Sequence, residues 1–473
     1  MDSVLEKYRW LSDELHALIG PVKFSSEINL RLERMNHLLG LLDNPHYKFR
    51  SIHVGGTSGK GSTSTMIATI LQEAGFSVGL HTSPNLQIFN ERHILNGRPA
   101  STTKLIELYK QIKPAIDEVR HVSQYGSPSY FEVQTALAFM LFAHESVDFA
   151  VIEVGLGGAR DATNVLPAEV AVLNNVGLDH TEILGDTVEA IVLDKRGIIK
   201  HKQQVVSGVT QPSVIQLVEE QCAEQDARLW LLGRDFSLCS LDDRLNQDAF
   251  SVRVGDVVYD QVHLKMEGDF QRVNAAVAVA AVLSLHDTVI PEQAIRGGLA
   301  KASIPGRVEQ MQVQPLVLLD GAHNRDKIKG AVNVLQTQKR YSGRKVITIL
   351  GVKAGKAATD IVRPIATLTD ELIVTRFEPK GLWTGIDPAI LAQVARDVRP
   401  ELPIEIVEPP LEALRVALEK ADEQDMIWVT GSLYLVGDMR EYWFPTHELL
   451  EELELFDATR GSIADNQLLT LAS

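Results

Sequence analysis

A glycine-rich stretch near the N-terminus has the residue types that bind phosphate. Residues 53–63 read HVGGTSGKGST and lie between a predicted strand, SIHV, and a helix-length segment that ends at Gly75. A strand–loop–helix unit points backbone N–H groups and the helix dipole at an anion, and Lys60 adds a positive charge. The alternative interpretation is a glycine turn with a surface lysine. Because Gly61 separates Lys60 from Ser62, the spacing differs from GxxxxGK[ST], which argues against ordinary P-loop kinases and GTPases.

Two acidic residues lie at the ends of predicted strands. Glu153 closes the run VIEV, and Asp320 comes directly after LVLL and opens the segment DGAHN. Open α/β sheets bind ligands outside the carboxyl ends of their strands, so both carboxylates are expected at a ligand site. For Glu153, a surface acid at a strand end is the alternative.

The elements that must position these residues alternate between short β-branched runs and helix-length amphipathic segments, which is typical of parallel α/β units. The first series has predicted strands at 51–54, 77–80, 148–154, 169–174 and 203–206 and helices near 62–74, 132–146 and 187–195. Residues 234–265 interrupt this rhythm and predict a small antiparallel patch, and the wholly apolar run 273–285 predicts a buried helix. A second series of predicted strands follows at 316–319, 345–350, 371–375, 404–407 and 426–430.

The two series predict a two-domain α/β fold. A proline-glycine turn lies between them within KASIPGRVEQ, so the domain boundary is expected at about residues 305–312. The first domain then covers residues 1–305 and the smaller second domain residues 306–445. The acidic segment 446–473 is predicted to be a peripheral C-terminal tail.

Composition and charge limit the possible partners. The chain has 473 residues, 45% of them hydrophobic and 23% charged, which is ordinary for globular protein and long enough for two domains. The 46 Lys and Arg residues against 62 Asp and Glu residues give a net charge of −16, which disfavours a nucleic-acid or anionic-membrane surface. Two cysteines, Cys222 and Cys239, and an N-terminus unlike a signal peptide predict a reducing, cytoplasmic compartment.

Further motifs follow the glycine-rich loop in a fixed order. They are HTSPNLQIFNER, SYFEVQTALAF, VIEVGLGGARDATN, NNVGLDHTEILGDT, DKRGIIK, GDFQRVNAAVA, PGRVE, DGAHN and TGSLYLVGD. With the loop they span residues 53–438, and the sequence resembles the folate branch of the Mur-type ligases, whose members are folylpolyglutamate synthases, often bifunctional with dihydrofolate synthase. The loop of that branch is usually GTNGKG[ST], and here Ser58 replaces the asparagine. Where the family commonly has RLDATN, this chain has ARDATN.

The resemblance implies a Mur ligase-like fold in which a P-loop-type N-terminal domain, with the antiparallel patch, binds ATP and the folate substrate. A Rossmann-like C-terminal domain closes the site. ATP is expected to contact Thr57, Ser58, Gly59, Lys60, Gly61, Ser62, Asn274, Arg307 and Asp320. For Arg307, an interdomain salt bridge is the alternative.

The resemblance also implies a magnesium site with two Mg²⁺ ions. The expected ligands are Ser83, Glu153, His180 and Lys195. Lys195 is expected to carry a carbamate, because an anionic ligand would hold the metal ions that a free ammonium would repel. The alternatives are hydrogen-bonded structural roles for Ser83 and His180 and a surface position for Lys195.

Substrate and catalytic residues follow from the same resemblance. Arg160, Asp161 and Ala162 are expected to contact the acid substrate, and Lys60, Lys195 and His323 are expected to be catalytic. For Asn324, next to His323, the alternative is an Asx-type helix cap.

The resemblance therefore predicts an ATP-dependent ligase that adds L-glutamate to a folate, and to dihydropteroate if it is bifunctional, through an acyl phosphate, with ADP and phosphate as products. One alternative is a Mur-like protein with another acid substrate, and another is an ATP-binding protein that has lost ligation. Ligases of cell-wall precursors place a substrate domain before the loop, whereas here the loop begins at residue 55. The expected partners are small molecules only, without nucleic acid or membrane, and the enzyme is expected to be a monomer.

Overall fold

The structure is a computed structural model that describes residues 3–19, 31–122, 124–239, 249–337, 341, 343–379 and 383–471. Its helices are α1 (Val4–His16), α2 (Arg31–Leu41), α3 (Lys60–Glu73), α4 (Thr102–His121), α5 (Tyr130–His144), α6 (Thr181–Leu184), α7 (Val188–Lys195), α8 (Pro212–Glu224), α9 (Asp269–Leu283), α10 (Glu292–Lys301), α11 (Arg325–Thr337), α12 (Ala358–Leu368), α13 (Pro388–Val398), α14 (Pro410–Lys420), α15 (Leu433–Arg440) and α16 (Thr446–Leu471). Within these ranges, the helices are too short or too polar to cross a membrane.

The strands are β1 (Arg50–Gly55), β2 (Val78–His81), β3 (His93–Leu95), β4 (Arg98–Pro99), β5 (Phe149–Glu153), β6 (Val170–Leu173), β7 (Gln204–Ser207), β8 (Arg228–Leu231), β9 (Phe236–Cys239), β10 (Ala249–Val254), β11 (Val257–His263), β12 (Glu309–Val313), β13 (Leu316–Leu319), β14 (Val346–Leu350), β15 (Glu371–Val374), β16 (Ile404–Ile406) and β17 (Met426–Thr430).

These strands form three sheets. The first has the order β4-β3-β2-β5-β1-β6-β7-β8 and is parallel from β2 to β8, with the β3–β4 hairpin antiparallel at its edge. The second is the antiparallel sheet β11-β10-β9. The third has the order β12-β13-β17-β14-β15-β16 and is parallel except for β12. The predicted two-part α/β fold with an antiparallel patch is confirmed.

The first sheet brings the glycine-rich loop beside the predicted acid. The strands β1, β5 and β6 are almost entirely buried, as expected for central parallel strands covered on both faces. Because β1 lies between β5 and β6, Val54 pairs with Glu153 and Gly55 pairs with Leu173. The carboxyl ends of three neighbouring strands therefore meet where the loop begins.

The helix after the loop, α3, packs closely against α10. Gly298 of α10 approaches α3 so closely that a Cβ atom there would lie 2.5 Å from the Cα atom of Ile70. Backbone atoms cannot move aside as a side chain can, so Gly298→Ala is expected to lower the free energy of unfolding by about 1–3 kcal/mol.

Gly297→Ala is a matched control for Gly298→Ala. A Cβ atom at Gly297 would meet only the carboxylate of Glu73, at 2.9 Å, and that side chain can move. Since alanine is also the better helix former, Gly297→Ala is expected to change stability little. Urea unfolding of both variants is the measurement. Equal stability of the two would show that the α3–α10 contact adapts without cost.

The acidic segment that follows the second α/β series differs from the expectation of a peripheral tail. Residues 446–471 form the helix α16, which packs against α1 and α4 of the first series. Leu450 is fully buried, and Glu454 accepts a hydrogen bond from the backbone N–H of Thr103 at 2.9 Å. The segment packs because apolar side chains such as Leu450 are spaced among its many glutamates, a pattern that the acidic composition hid.

Candidate active site

The glycine-rich loop forms a turn directly before α3. Gly59 is the N-cap residue and has φ +78°, which a residue with a side chain rarely adopts. A Cβ atom at this position would also lie 2.3 Å from the Nδ2 atom of Asn174. Lys60 is the first residue of α3, so its charge and the free N–H groups of the first turn lie at the same end of the helix.

Asparagine side chains hold this loop in place. Asn174 donates to the carbonyl oxygen of Ser58 at 2.9 Å, and Asn175 accepts from the Ser58 backbone N–H at 2.8 Å. Asn274 of α9, predicted to contact ATP, accepts from Asn174 at 2.8 Å and donates to Gln271 at 2.8 Å. These bonds fix the loop conformation before any ligand binds.

Glu153 lies beside the start of α3. Its carboxylate is 5% exposed and accepts a hydrogen bond from the backbone N–H of Ser83 at 3.0 Å. Burial raises the pKa of Glu153, while the positive charges of Lys60 and Arg307 act in the opposite direction. The interpretation of Glu153 as a surface acid is therefore wrong.

Lys195 is buried rather than on the surface of its helix. It is 5% exposed, and its ammonium donates to the carbonyl oxygen of Gly56 at 3.1 Å. Burial, together with the charge of Lys60, lowers the pKa of Lys195 to about 8. A larger share of this amine is neutral near pH 7 than for an ordinary lysine.

Asp320 organises the turn that contains Arg307. Its two carboxylate oxygens accept from the backbone N–H groups of Val308 and Ala322, each at 3.0 Å. Burial raises the pKa of Asp320, and the charge of Arg307 opposes this shift. Arg307 and Asp320 therefore lie together on the second side of the site.

The segment after Asp320 leads into α11. Asn324 accepts from the backbone N–H of Lys327 at 3.0 Å, which is the N-cap bond that the alternative interpretation expected. The Nδ1 atom of His323 lies 2.8 Å from the carbonyl oxygen of Gly321, and its Nε2 atom lies 3.2 Å from the ammonium of Lys327. Burial lowers the pKa of His323 to about 3, so the ring is neutral.

One cavity of about 1140 Å³ brings most of the predicted site residues together. Its lining includes Thr57, Ser58, Gly59, Lys60, Gly61, Ser62, Ser83, Glu153, His180, Lys195, Asn274, Arg307, Asp320, His323 and Asn324. The cavity therefore lies between the carboxyl ends of the first and third sheets.

The three residues predicted to bind the acid are not in the lining of this cavity. Arg160 is exposed, and Ala162 is buried in a hydrophobic core. The carboxylate of Asp161 accepts from the backbone N–H groups of Leu156 and Thr163, at 2.9 and 3.0 Å. Through Leu156, which does line the cavity, Asp161 shapes the adjoining loop.

Among the charged residues that line the cavity but are missing from the predicted site are Asp179 and Lys327. Asp179 lies next to His180, and its carboxylate is 3.7 Å from the ammonium of Lys356 and 3.5 Å from the amide nitrogen of Asn324. Although burial opposes it, the neighbouring positive charges lower the pKa of Asp179. Lys327 lies in the first turn of α11. The sequence signals were the acid before His180 and the lysine one helical turn after His323.

The predicted metal ligands offer oxygen and nitrogen donors in a phosphate-binding site. In the part of the chain that the structure describes, no three His, Cys, Asp or Glu side chains converge as a ready-made metal site. Glu153 nevertheless presents a buried carboxylate at the start of α3, close to where a phosphate would lie. Mg²⁺ is usually bound by one or two carboxylates together with water and substrate phosphates, so these residues fit it.

Two family models match the chain on either side of the cavity. The Mur ligase middle domain matches residues 54–282. The C-terminal domain of dihydrofolate synthetase matches residues 307–442.

Individual relatives match over nearly the whole chain. The dihydrofolate synthase/folylpolyglutamate synthase of Bacillus subtilis (strain 168) is 34% identical over 428 residues, which cover 89% of this chain and 96% of the relative. The structure of Mycobacterium tuberculosis folylpolyglutamate synthase complexed with ADP has a TM-score of 0.85 at 28% identity, and the match covers 93% of this chain and 99% of that one. The Yersinia pestis bifunctional folylpolyglutamate synthase/dihydrofolate synthase complexed with AMPPNP and Mn ion has a TM-score of 0.78 at 26% identity, with 94% and 99% covered.

Proposed function

The chain belongs to the dihydrofolate synthase/folylpolyglutamate synthase family of Mur-type ligases, and from this premise we propose that it joins L-glutamate to the carboxylate of a folate. The enzyme is an ATP-dependent ligase and uses a divalent metal ion. Addition of glutamate to dihydropteroate as well as to a folate is the alternative within the family. A protein with another acid substrate, or one that has lost ligation, is the second alternative.

One observation carries the proposal. The glycine-rich loop, residues 56–62, follows a strand of the first sheet and the segment 320–324 follows a strand of the third, yet residues of both line the same cavity. A ligase of this kind must hold ATP, an acid and an amine together while excluding water from a reactive intermediate. A shared cavity between two α/β units supports that chemistry.

The proposed reaction begins with activation of the acid. An oxygen of the folate carboxylate attacks the γ-phosphorus of ATP, the bond to the β-phosphate oxygen breaks, and ADP leaves. Lys60 and the N–H groups at the start of α3 stabilise the negative charge on the phosphoryl oxygens. The α-amine of glutamate then attacks the acyl phosphate, loses a proton, and displaces phosphate to leave an amide.

The proposed metal ligands are Ser83, Glu153, His180 and Lys195. Bound Mg²⁺ would neutralise phosphate charge, which lowers the barrier to phosphoryl transfer. For two ions, Glu153 alone supplies too little negative charge, which supports a carbamate on Lys195. Its buried amine, with a pKa lowered to about 8, suits reaction with CO₂, since only the neutral form reacts.

The residues proposed to bind the acid substrate are Arg160, Asp161 and Ala162. Asp161 is engaged with its own loop through Leu156 and Thr163. We propose that Arg160, Asp161 and Ala162 belong to the segment that binds the acid, and that Asp161 acts by holding the loop at Leu156. The domain limits proposed above, 1–305 and 306–445, put each half of the cavity on one domain.

A panel of acids tests the substrate. The enzyme is incubated with MgATP and L-glutamate and with pteroate, dihydropteroate, dihydrofolate or tetrahydrofolate, and products are weighed by mass spectrometry. We expect a gain of one or more glutamyl units on a reduced folate. Gain on dihydropteroate but on no folate would overturn the primary assignment in favour of dihydrofolate synthase.

The alternative of lost ligation requires a separate measurement. A ligase releases ADP in a glutamate-dependent manner when a folate is present. A protein that only binds the nucleotide releases ADP at the same rate with or without glutamate and folate. ADP release under these conditions therefore separates the two.

Asp320→Ala is expected to raise the KM for ATP about tenfold, which corresponds to about 1.4 kcal/mol of lost binding. The reason is that Asp320 fixes the turn containing Arg307 through two backbone hydrogen bonds. If the second domain closes less tightly over the cavity, ATP hydrolysis without glutamate should also increase, because water then reaches the acyl phosphate. Steady-state kinetics with ATP varied, and phosphate release without glutamate, are the measurements.

Asp320→Asn, which retains one acceptor oxygen, should raise the KM for ATP less than Asp320→Ala does. Unchanged ATP kinetics in both variants would refute the role.

The proposal includes the oligomeric state, the partners and the cellular location of the enzyme. Both sides of the cavity come from one chain, which supports a monomer that acts on small molecules rather than on nucleic acid or membranes. Cys222 and Cys239 are free thiols, which supports a cytoplasmic location. Sedimentation at working concentration tests the oligomeric state.

A further inference from the structure

Lys327 is a positively charged residue of the cavity that the mechanism above does not use. It lies in the first turn of α11, and its side chain lines the cavity. In the part of the chain that the structure describes, Lys327 forms no ion pair, and its hydrogen-bond partner is the ring of His323 at 3.2 Å. The hydrogen-bond partner of this ammonium is neutral, and Asp179, the carboxylate whose charge acts on Lys327, forms no ion pair with it.

The hydrogen bonds of His323 determine what its ring offers to Lys327. The carbonyl oxygen of Gly321, 2.8 Å from Nδ1, can only accept, so Nδ1 carries the hydrogen. The neutral ring then has a lone pair on Nε2, and this atom accepts from the Lys327 ammonium. His323 therefore holds the ammonium in place without neutralising it.

The charges around Lys327 locate the anion that it could bind. The charge of Lys327 acts on Glu153 and on Asp320, which lie on opposite sides of the cavity. Burial, together with the positive charges of Arg307, Lys60 and Lys356, lowers the pKa of Lys327 to about 7, and the carboxylate of Asp179 acts in the opposite direction. Lys327 is thus close to the same groups as the phosphate-binding Lys60, and an incoming anion would restore its full charge.

We propose that Lys327 is a catalytic residue that donates a hydrogen bond to an oxygen of the γ-phosphoryl group during its transfer, and that His323 is its positioning residue. This inference rests on the proposed function. As the acid oxygen bonds to the γ-phosphorus and the bond to ADP breaks, Lys327 keeps its proton and only stabilises the charge on the phosphoryl oxygens. The second domain would thereby supply a cation to a nucleotide held mainly by the first.

A carboxylate of the incoming glutamate is the other anion that could reach this ammonium. The proximity of Lys60 and Glu153, which lie at the phosphate-binding end of the cavity, favours the phosphoryl group. The two anions, the γ-phosphoryl group and the glutamate carboxylate, predict different nucleotide affinities of the Lys327 variant when glutamate is absent.

The test compares binding of ADP with binding of AMPPNP, both with Mg²⁺, by titration calorimetry without glutamate or folate. Lys327→Ala is expected to weaken AMPPNP binding about tenfold, because the contact is to the γ-phosphoryl group, while the affinity for ADP stays within about twofold. Lys329→Ala is the matched control, since Lys329 is exposed on the same helix and lines a separate groove. It should change neither affinity. Equal affinities of Lys327→Ala and the parent for AMPPNP would overturn the proposal.

Steady-state kinetics then separate the two anions. Lys327→Ala should lower kcat about 100-fold with little change in the KM for glutamate. A rise in the KM for glutamate alone would assign Lys327 to the amino acid and overturn the phosphoryl role. If the parent protein has no ligase activity, the proposed function fails, but the AMPPNP comparison still decides the role of Lys327.

The positioning role of His323 has its own test. His323→Ala should reproduce the kinetic pattern of Lys327→Ala, and the double variant should be no slower than either single variant, because both changes remove one contact. His323→Gln, whose amide oxygen can accept from Lys327, should restore part of kcat. Additive losses in the double variant, or no recovery with glutamine, would show that His323 acts independently.

Discussion

Lys60→Ala is expected to lower ligase turnover by about 10²–10³-fold, a loss of about 3–4 kcal/mol of transition-state stabilisation. Lys60 begins α3 at the loop whose Gly59 adopts φ +78°, so its charge adds to that of the free N–H groups. These groups act on a phosphoryl group whose negative charge is spread over its oxygens during transfer. The measurement is kcat and kcat/KM with MgATP, a reduced folate and glutamate.

The fold should survive this change, because the loop is held by Asn174 and Asn175 and not by the lysine. Lys110→Ala is the control, since Lys110 is exposed on α4, away from the cavity. Circular dichroism and unfolding temperature should match in both variants. Near-normal turnover of Lys60→Ala would mean that the loop is not the ATP site.

Lys195→Ala is expected to abolish ligation, with a loss of about three orders of magnitude in kcat. The physical reason is the proposed carbamate, whose loss leaves Glu153 as the one anionic side chain among the proposed metal ligands. The Lys195 side chain lines the cavity, so its deletion leaves space that a small carboxylate could occupy. Acetate or formate should therefore restore part of the activity.

Lys195→Met distinguishes this rescue from a general salt effect. Methionine fills the space of the lysine stem but can neither form a carbamate nor admit acetate, so this variant should be inactive and should not respond to carboxylates. The parent enzyme should lose activity when bicarbonate is removed and regain it on addition. Full activity of Lys195→Ala in bicarbonate-free buffer would refute the carbamate and leave Lys195 with only its bond to Gly56.

Features that depend on a short run of residues were predictable from the sequence. The strand before the loop, the glycine turn and α3 occupy adjacent positions, so their order alone indicated a phosphate-binding unit. Most strands of both series are in the predicted places, because a buried parallel strand needs a short apolar run whatever its neighbours are. The position of Glu153 at a strand end likewise followed from the pattern alone.

The burial of the site residues, and which charged side chains lie near them, depended on packing between distant segments of the chain. The family resemblance assigned a role to Lys195 and none to Lys327, and the structure buries the first against Gly56 and places the second beside His323 in the cavity. Asp161 was expected to face a substrate, but the turn of its own chain brings the Leu156 N–H to its carboxylate. No local pattern specifies such contacts.

The sequence by itself determined that this protein binds a nucleotide on parallel α/β units, because strand ends and a glycine turn are local properties of the chain. Only the tertiary structure decided which charges share the cavity, because residues 153, 195 and 327 lie on separate elements whose distances the sheet order and the domain contact set. The strength of a charge interaction depends on distance and burial, and both are fixed only when the two α/β units pack together.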